Sequence, residues 1–147
     1  MTGPFNLRVY AIYIEDGAVL LSAETTENLS FTKFPGGGIE PGEGITDALK
    51  REIAEELEAE LTEFKFYFVN EFHQPSAFQP GQQIISFYYL VNFAAKPALK
   101  VFTETRWDKD FEVNFYFRKL DDLHTDELTF PIDKVVIEKL KQDYLSK

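Results

Sequence analysis

From Leu7 to Glu15 apolar and polar residues alternate in a run rich in Val, Ile and Tyr, and a second apolar run, Ala18 to Ala23, follows across Asp16-Gly17. Asp-Gly suits the two-residue hairpin, so the chain is expected to open with two paired strands. Glu24 to Ser30 is polar, Phe31 to Phe34 is a short aromatic stretch, and Pro35-Gly36-Gly37-Gly38 forbids a continuing regular element, which predicts a loop. Apolar residues then recur at Ile45, Leu49, Ile53 and Leu57, a spacing of four that predicts a first helix beginning beside Glu43 and Gly44. Glu63 to Phe72 and Gln82 to Phe93 are aromatic and β-branched runs separated by Gln74-Pro75 and Gln79-Pro80-Gly81, and are expected to be strands. Pro97 to Asp110 reads as a mostly polar loop around Trp107, and Phe111 to Phe117 as a further strand. Pro131 suits the first position of a second helix, whose apolar face would be Ile132, Val135, Val136, Leu140 and Tyr144, running to the C-terminus. Strands flanked by two well-separated helices predict an α/β class: a three-layer α/β/α sandwich with a mixed β-sheet.

Composition narrows the function more than the fold. The 147 residues are 44% hydrophobic, which fits one globular domain over 1–147 with a real core. Twenty-five acidic against 15 basic residues leave a net charge of -10. That charge argues against a grip on nucleic-acid backbones, and it requires a cation for any phosphate-bearing substrate. The chain has no cysteine, so it carries neither a disulfide framework nor a thiolate metal site, and a cytoplasmic location is the expectation. No apolar run approaches the length needed to cross a bilayer, so no membrane role is expected.

Chemistry concentrates between Pro35 and Ala59. Glu52, Glu55 and Glu56 are spaced i, i+3, i+4 and project from one side of the first helix within a single turn. Each like-charge pair at this spacing costs an isolated helix roughly 0.2–0.5 kcal/mol, so a structural account must explain why they stand together. A glutamate cluster is ordinarily a solvated acidic face. At about 100° per residue, however, Glu56 lies about 20° from Ile45 and Glu52 about 20° on its other side, so these acids border the buried stripe. The outward face carries Asp47, Arg51, Ala54 and Glu58 instead. A bound divalent cation accounts for acids gathered at a packing edge. Hard oxygen ligands with no nearby histidine or cysteine select Mg²⁺ or Mn²⁺, and Mg²⁺ is commonly shared between carboxylates and substrate phosphates.

The segment resembles the Nudix box: Gly, five residues, Glu, seven residues, then Arg-Glu-aliphatic-x-Glu-Glu-x-Gly-aliphatic. Gly37, Glu43, Arg51, Glu52, Ile53, Glu55 and Glu56 fall on its positions, and Phe34-Pro35-Gly36-Gly37 is similar to the run that commonly precedes it. The order of strands and helices is similar to the Nudix α/β/α fold. The resemblance implies a MutT-like pyrophosphohydrolase that cleaves a nucleoside diphosphate linked to another moiety, with Mg²⁺ or Mn²⁺ as cofactor. It makes Glu52, Glu55 and Glu56 metal ligands, adds the Gly36 carbonyl to them, and gives Glu52 a second role as general base. Glu43 and Arg51 become the catalytic support, with Arg51 orienting the acids through charge-assisted hydrogen bonds against the plainer reading of a surface ion pair. The sequence departs from the box at Glu58, where the box has glycine, and at Ala59, where it has a larger aliphatic residue; this puts the end of the helix in question.

Outside the box, Glu104, Asp108, Asp110 and Glu112 lie where Nudix enzymes often supply a further acid, and Glu112 is the first candidate. Phe31, Phe78 and Phe130 sit in or beside loops and are candidates for stacking a nucleobase, although most of the 15 phenylalanines must be core. His73 and His124 have no ligand-spaced partners. The glycine-rich loop lacks the Gly-Lys-Ser/Thr ending of a P-loop. The expected partner is a small-molecule nucleotide-type substrate, with a homodimer admitted. The competing functions are an isoprenoid diphosphate isomerase, disfavoured by the missing cysteine, and a non-catalytic Nudix-like nucleotide-sensing domain, disfavoured because the acids are kept and there is no room for a DNA-binding segment.

Overall fold

The structure, a computed structural model, describes residues 4–145. The elements run β1 (Phe5–Ile12), β2 (Ile14–Glu15), β3 (Ala18–Thr25), β4 (Ser30–Lys33), β5 (Gly36–Gly38), α1 (Ile45–Leu57), β6 (Leu61–Val69), β7 (Gln83–Phe93), β8 (Phe102–Arg106), β9 (Lys109–Lys119), a 3-10 turn (Thr125–Glu127) and α2 (Pro131–Leu145). They form two compact units, one holding the chain up to Ile12 with Gly36–Pro97, the other Tyr13–Pro35 with the chain from Ala98.

The first unit has a four-stranded sheet in the order β5-β1-β7-β6. β1 and β7 are parallel, in register from Phe5 opposite Gln83 to Ile12 opposite Leu90, while β5 and β6 join antiparallel. The expected mixed sheet is therefore present. α1 packs on β5, β1 and β6. It buries Ala48, Leu49, Ile53 and Leu57, the predicted stripe without its first member, since Ile45 is only half-buried. Burying each of these large side chains contributes about 1.5–3 kcal/mol. β6 stops three residues earlier than the run to Phe72 predicts. The cause is Asn70: its side-chain amide donates to the Phe72 and Ile84 carbonyls and its oxygen accepts the Ser86 N–H at 2.8 Å, replacing the ladder.

α1 ends at Leu57, and Glu58 itself adopts the left-handed conformation (φ 51°, ψ 41°), with its N–H on the Ala54 carbonyl. The helix thus neither runs on nor stops by a new geometry. Glutamate takes the conformation that glycine ordinarily supplies, against a steric penalty of about 1 kcal/mol.

The second unit is an antiparallel sheet in the order β2-β3-β9-β8, with β4 added to β3. The Asp16-Gly17 hairpin forms as expected, with both residues at positive φ. The single strand predicted from Leu7 to Glu15 is interrupted at Tyr13, whose carbonyl accepts the Leu20 N–H. The loop predicted over Pro97–Asp110 is also corrected: β8 and the start of β9 pair as a hairpin, with Arg106 opposite Lys109 and Trp107-Asp108 as its turn. The alternation from Phe102 to Arg106 carried the strand signal, and the absence of glycine from the turn hid it. On α2 the buried face is Ile132, Asp133, Val136, Ile137 and Leu140. Ile137 belongs to it, whereas Val135 and Tyr144 are exposed. Residues 146–147, which the predicted helix included, lie outside the described residues.

Charge is also buried in this unit. Glu24, fully shielded from solvent, meets Lys33 Nζ at 3.1 Å and accepts a hydrogen bond from Arg106. Burial alone would raise its pKa; the attraction of Lys33 and the bonds from Arg106 outweigh that and hold it below its ordinary 4.5. Removing one partner of a buried pair leaves the other uncompensated.

Two outcomes follow from these features. Glu58→Gly is expected to stabilise by about 1 kcal/mol, raising Tm by about 2–4 °C, and an unchanged or lower melting point would refute the strain at the helix end. Glu24→Gln is expected to cost about 3–5 kcal/mol in chemical denaturation at neutral pH. Because the folded pKa is depressed, this stabilisation is present above pH 4.5 and is lost as pH falls through the folded value, so the gap between wild type and variant should shrink in acid.

Candidate active site

The candidate site is built wholly within the first unit. β5 consists of Gly36, Gly37 and Gly38 and lies at the edge of its sheet, with Gly36 opposite Tyr10 and Gly38 opposite Arg8. Gly36 has φ +143°, and a Cβ there would overlap the Val9 carbonyl oxygen. At Gly37 a Cβ would lie 2.6 Å from Glu52 Cδ and Oε1 and 2.8 Å from Oε2. The missing side chain at Gly37 is therefore the space that the Glu52 carboxylate fills. Ile39 to Gly44 then turns the chain into α1, held by the Glu43 N–H on the Glu40 carbonyl and the Glu40 N–H on Glu43 Oε1.

Arg51 binds this assembly together. Its Nε and Nη2 grip both oxygens of Glu43 at 2.6 and 2.9 Å, Nη2 also donates to the Gly38 carbonyl at 2.9 Å, and Nη1 reaches Glu52 and Glu55, each at 3.1 Å. The fork of donors on a planar guanidinium makes such branching feasible; an ammonium would have to choose. Hydrogen bonds to Glu43 first, then to Glu55 and Glu52, outweigh burial and raise the Arg51 pKa. Reciprocally, the bond from Arg51 and then the Glu40 N–H hold Glu43 below the ordinary carboxylate value. The Gly38 carbonyl is a member of this network that sequence reasoning missed, since a backbone acceptor leaves no mark on residue identity.

Glu52 is mostly shielded, Glu55 is 58% exposed, and Glu56 keeps Oε1 away from solvent. Ile53 is fully buried and anchors the turn that carries them. Among the described residues, no three His, Cys, Asp or Glu side chains converge into a ready-made metal cage. Glu52 and Glu55 turn toward Arg51, which supplies the positive charge next to them. The donor set nonetheless fits a hard divalent cation: carboxylate oxygens from one helical turn beside a strand of backbone carbonyls, with no nitrogen or sulfur ligand among them.

The remaining candidates separate. Glu112 is exposed on β9 in the second unit, opposite Thr25 and Thr103. Glu104 pairs with Arg106, Asp110 accepts from Thr105, and Asp108 forms half of the hairpin turn. Phe31 is buried against Phe111 and Phe130, with the Arg106 guanidinium over its ring, so it offers no open face for a base. Phe130 is half-buried beside it, and Phe78 is exposed on the Asn70–Gln82 loop of the first unit. His73 is exposed, and His124 begins the 3-10 turn, where its N–H donates to Glu127.

Residues 4–140 match the family model of the NUDIX domain, and the chain belongs to that family. Its fold is the Nudix α/β sandwich with a mixed sheet. Similar solved structures include the ORF135 protein of E. coli (TM-score 0.72, 20% identity, 97% of this chain and 93% of that one). A MutT NUDIX hydrolase from Burkholderia pseudomallei aligns with TM-score 0.70 and 22% identity over 92% of this chain and 98% of its own. A NUDIX hydrolase from Nitrosomonas europaea gives TM-score 0.70 and 20% identity over 94% and 89%. No match was found among curated proteins.

The geometry makes Gly37→Ala a probe of the site rather than of the fold. The new methyl group must displace the Glu52 carboxylate, and kcat is expected to fall by roughly tenfold to a hundredfold while the circular dichroism spectrum stays native. Arg51→Lys should lower both Tm and kcat; a lysine variant with wild-type values of both would reduce the network to an ordinary surface pair.

Proposed function

We propose that this chain is a Mg²⁺- or Mn²⁺-dependent Nudix hydrolase that cleaves the phosphoric anhydride bond of a nucleoside diphosphate linked to another group. The observation that carries this reading is the Arg51-centred gathering of Glu43, Glu52 and Glu55 around a bare glycine strand. Glu52, Glu55 and Glu56, with the Gly36 carbonyl, would hold the cation. When bound, the cation supplies neutralisation of the diphosphate oxygens and a lowered pKa for a nearby water. Glu52, placed by the space at Gly37 and steadied by Arg51, accepts the proton of the attacking water. Water adds to one phosphorus as the P–O–P bridge breaks, giving a nucleoside monophosphate and a phosphorylated leaving group. Glu43 holds Arg51, and Arg51 sets the direction of Glu52. Phe78, exposed on the Asn70–Gln82 loop of the same unit, remains a candidate for base contact.

The chain would work as one Nudix domain on a small-molecule substrate in the cytoplasm. The net charge of -10 supports the exclusion of nucleic acid, and no described helix is long and apolar enough to cross a membrane.

Turnover of a panel of nucleotide derivatives with product analysis tests the reaction class. Activity should vanish in EDTA and return with Mg²⁺ or Mn²⁺. Glu52→Gln and Glu56→Gln should each lose at least about a hundredfold in kcat without unfolding. Mg²⁺ at about a hundred times its Kd should stabilise the wild type by about 2.7 kcal/mol, and Glu55→Gln should weaken that shift. Binding of nucleotides with no turnover at any metal concentration would favour a sensing domain instead.

A further inference from the structure

Strand alternation gives each face of the β5-β1-β7-β6 sheet its own set of side chains. Two contacts identify the face that carries α1: a Cβ at Gly37 would meet the Glu52 carboxylate, and Lys50 Nζ lies 5.3 Å from the centre of the Phe64 ring. Val9 stands opposite Gly37, so Phe5, Leu7 and Ala11 share its side of β1. Register then places Ile85, Phe87 and Tyr89 beside Leu7, Val9 and Ala11. Phe66 stands beside Tyr89 and meets its ring edge-on at 5.7 Å.

α1 covers only part of this face. Val9, Ala11 and Val91 are buried, but Phe5 is 53% exposed, Phe66 52% and Leu7 41%, and Ile85, Phe87 and Tyr89 are half-buried. A sheet face open to water ordinarily carries polar residues in alternation with the buried ones. Here none of the described residues on this face of β1, β7 and β6 is charged, in a chain whose net charge is -10.

Phe5 and Phe66 each leave roughly 100 Å² open, and the six uncovered residues together leave on the order of 400 Å², among the largest apolar patches that soluble monomers show. A standard interface buries about 800 Å² per partner, a little over half of it nonpolar. The face thus supplies nearly the whole apolar share of one such interface. Its lack of charge also selects the occupant. A basic partner finds no carboxylate here and an acidic partner no cation, so the match is another apolar, uncharged face. A second copy brings one, and lets two acidic chains meet without burying a like-charge pair.

We infer that the uncovered part of this sheet face, centred on Leu7, Phe87 and Phe66, binds the same face of a second copy in a two-fold homodimer. The surface lies wholly within the first unit and does not depend on the reaction the protein performs.

Sedimentation equilibrium of the intact protein at micromolar concentration should give twice the mass of one chain. Phe66→Glu buries an unpaired charge at the contact and should raise the dimer Kd about a hundredfold or more, with a native circular dichroism spectrum. Phe5→Glu, at a residue equally open to solvent, should do the same and serves if the first variant does not fold. Val135→Glu, at an exposed apolar residue of α2 in the second unit, should leave the dimer unchanged. The proposal is overturned by a wild-type monomer at 100 times the expected working concentration, roughly 100 μM, since an interface of standard size holds well below that. It is overturned equally by folded glutamate variants that still dimerise, by a dimer that Val135→Glu also dissolves, or by open-ended association. A monomer that co-sediments with phosphatidylcholine vesicles would assign the face to a lipid surface instead.

Discussion

Five hydrogen bonds from one guanidinium decide what the acidic turn of α1 can be. Glu52 and Glu55 stand three residues apart on one helix face, a spacing at which like charges work against the helix that carries them. With Arg51, the acids are held in place by a group that cannot lose its proton in the working range. The same side chain reaches the Gly38 carbonyl, so the position of the acids is tied to the strand they must serve. A helix turn and a sheet edge are thereby locked together by one residue.

That lock has a steric counterpart. The glycines of β5 are required by what lies against them: Gly36 by the Val9 carbonyl and the Tyr10 side chain, Gly37 by the Glu52 carboxylate. An all-glycine strand would be a poor stabiliser by itself, since it packs no side chains and loses the most backbone entropy on folding. It persists here because β1, parallel to β7 and buried along Val9 to Ile12, presents a ready ladder for it. The sheet therefore stabilises the strand, and the strand leaves room for the carboxylate.

In the second unit, polarity is buried for a different end. Glu24, Lys33 and Arg106 come from three strands, and their pairing joins β3, β4 and β8 at one point. Aromatic rings surround the Arg106 end of this chain of charges, which compensates the guanidinium for part of its lost hydration. An apolar trio could fill the same volume with similar stability, but it would not orient the hairpin tip through directional bonds.

Local spacing carried the acidic turn of α1, the buried stripe Leu49, Ile53 and Leu57, the Asp16-Gly17 hairpin and the mixture of strands and helices. Each of these depends on residues a few positions apart, where helical and strand periods act directly. The β8–β9 hairpin escaped because Trp107 gives no turn signal and Asp108 has no glycine or asparagine beside it. The early end of β6 was settled by the bonds of Asn70 to Ile84 and Ser86, 14 and 16 residues on. Which cation faces Glu24 could not be read from the sequence at all, since Arg106 lies 82 residues away. The sequence by itself determined which acids share one turn of helix, because helical geometry is local. Only the tertiary structure decided which backbone carbonyl and which missing side chain hold them in place, because a hydrogen bond depends on where a neighbour is and a steric gap on where one is not.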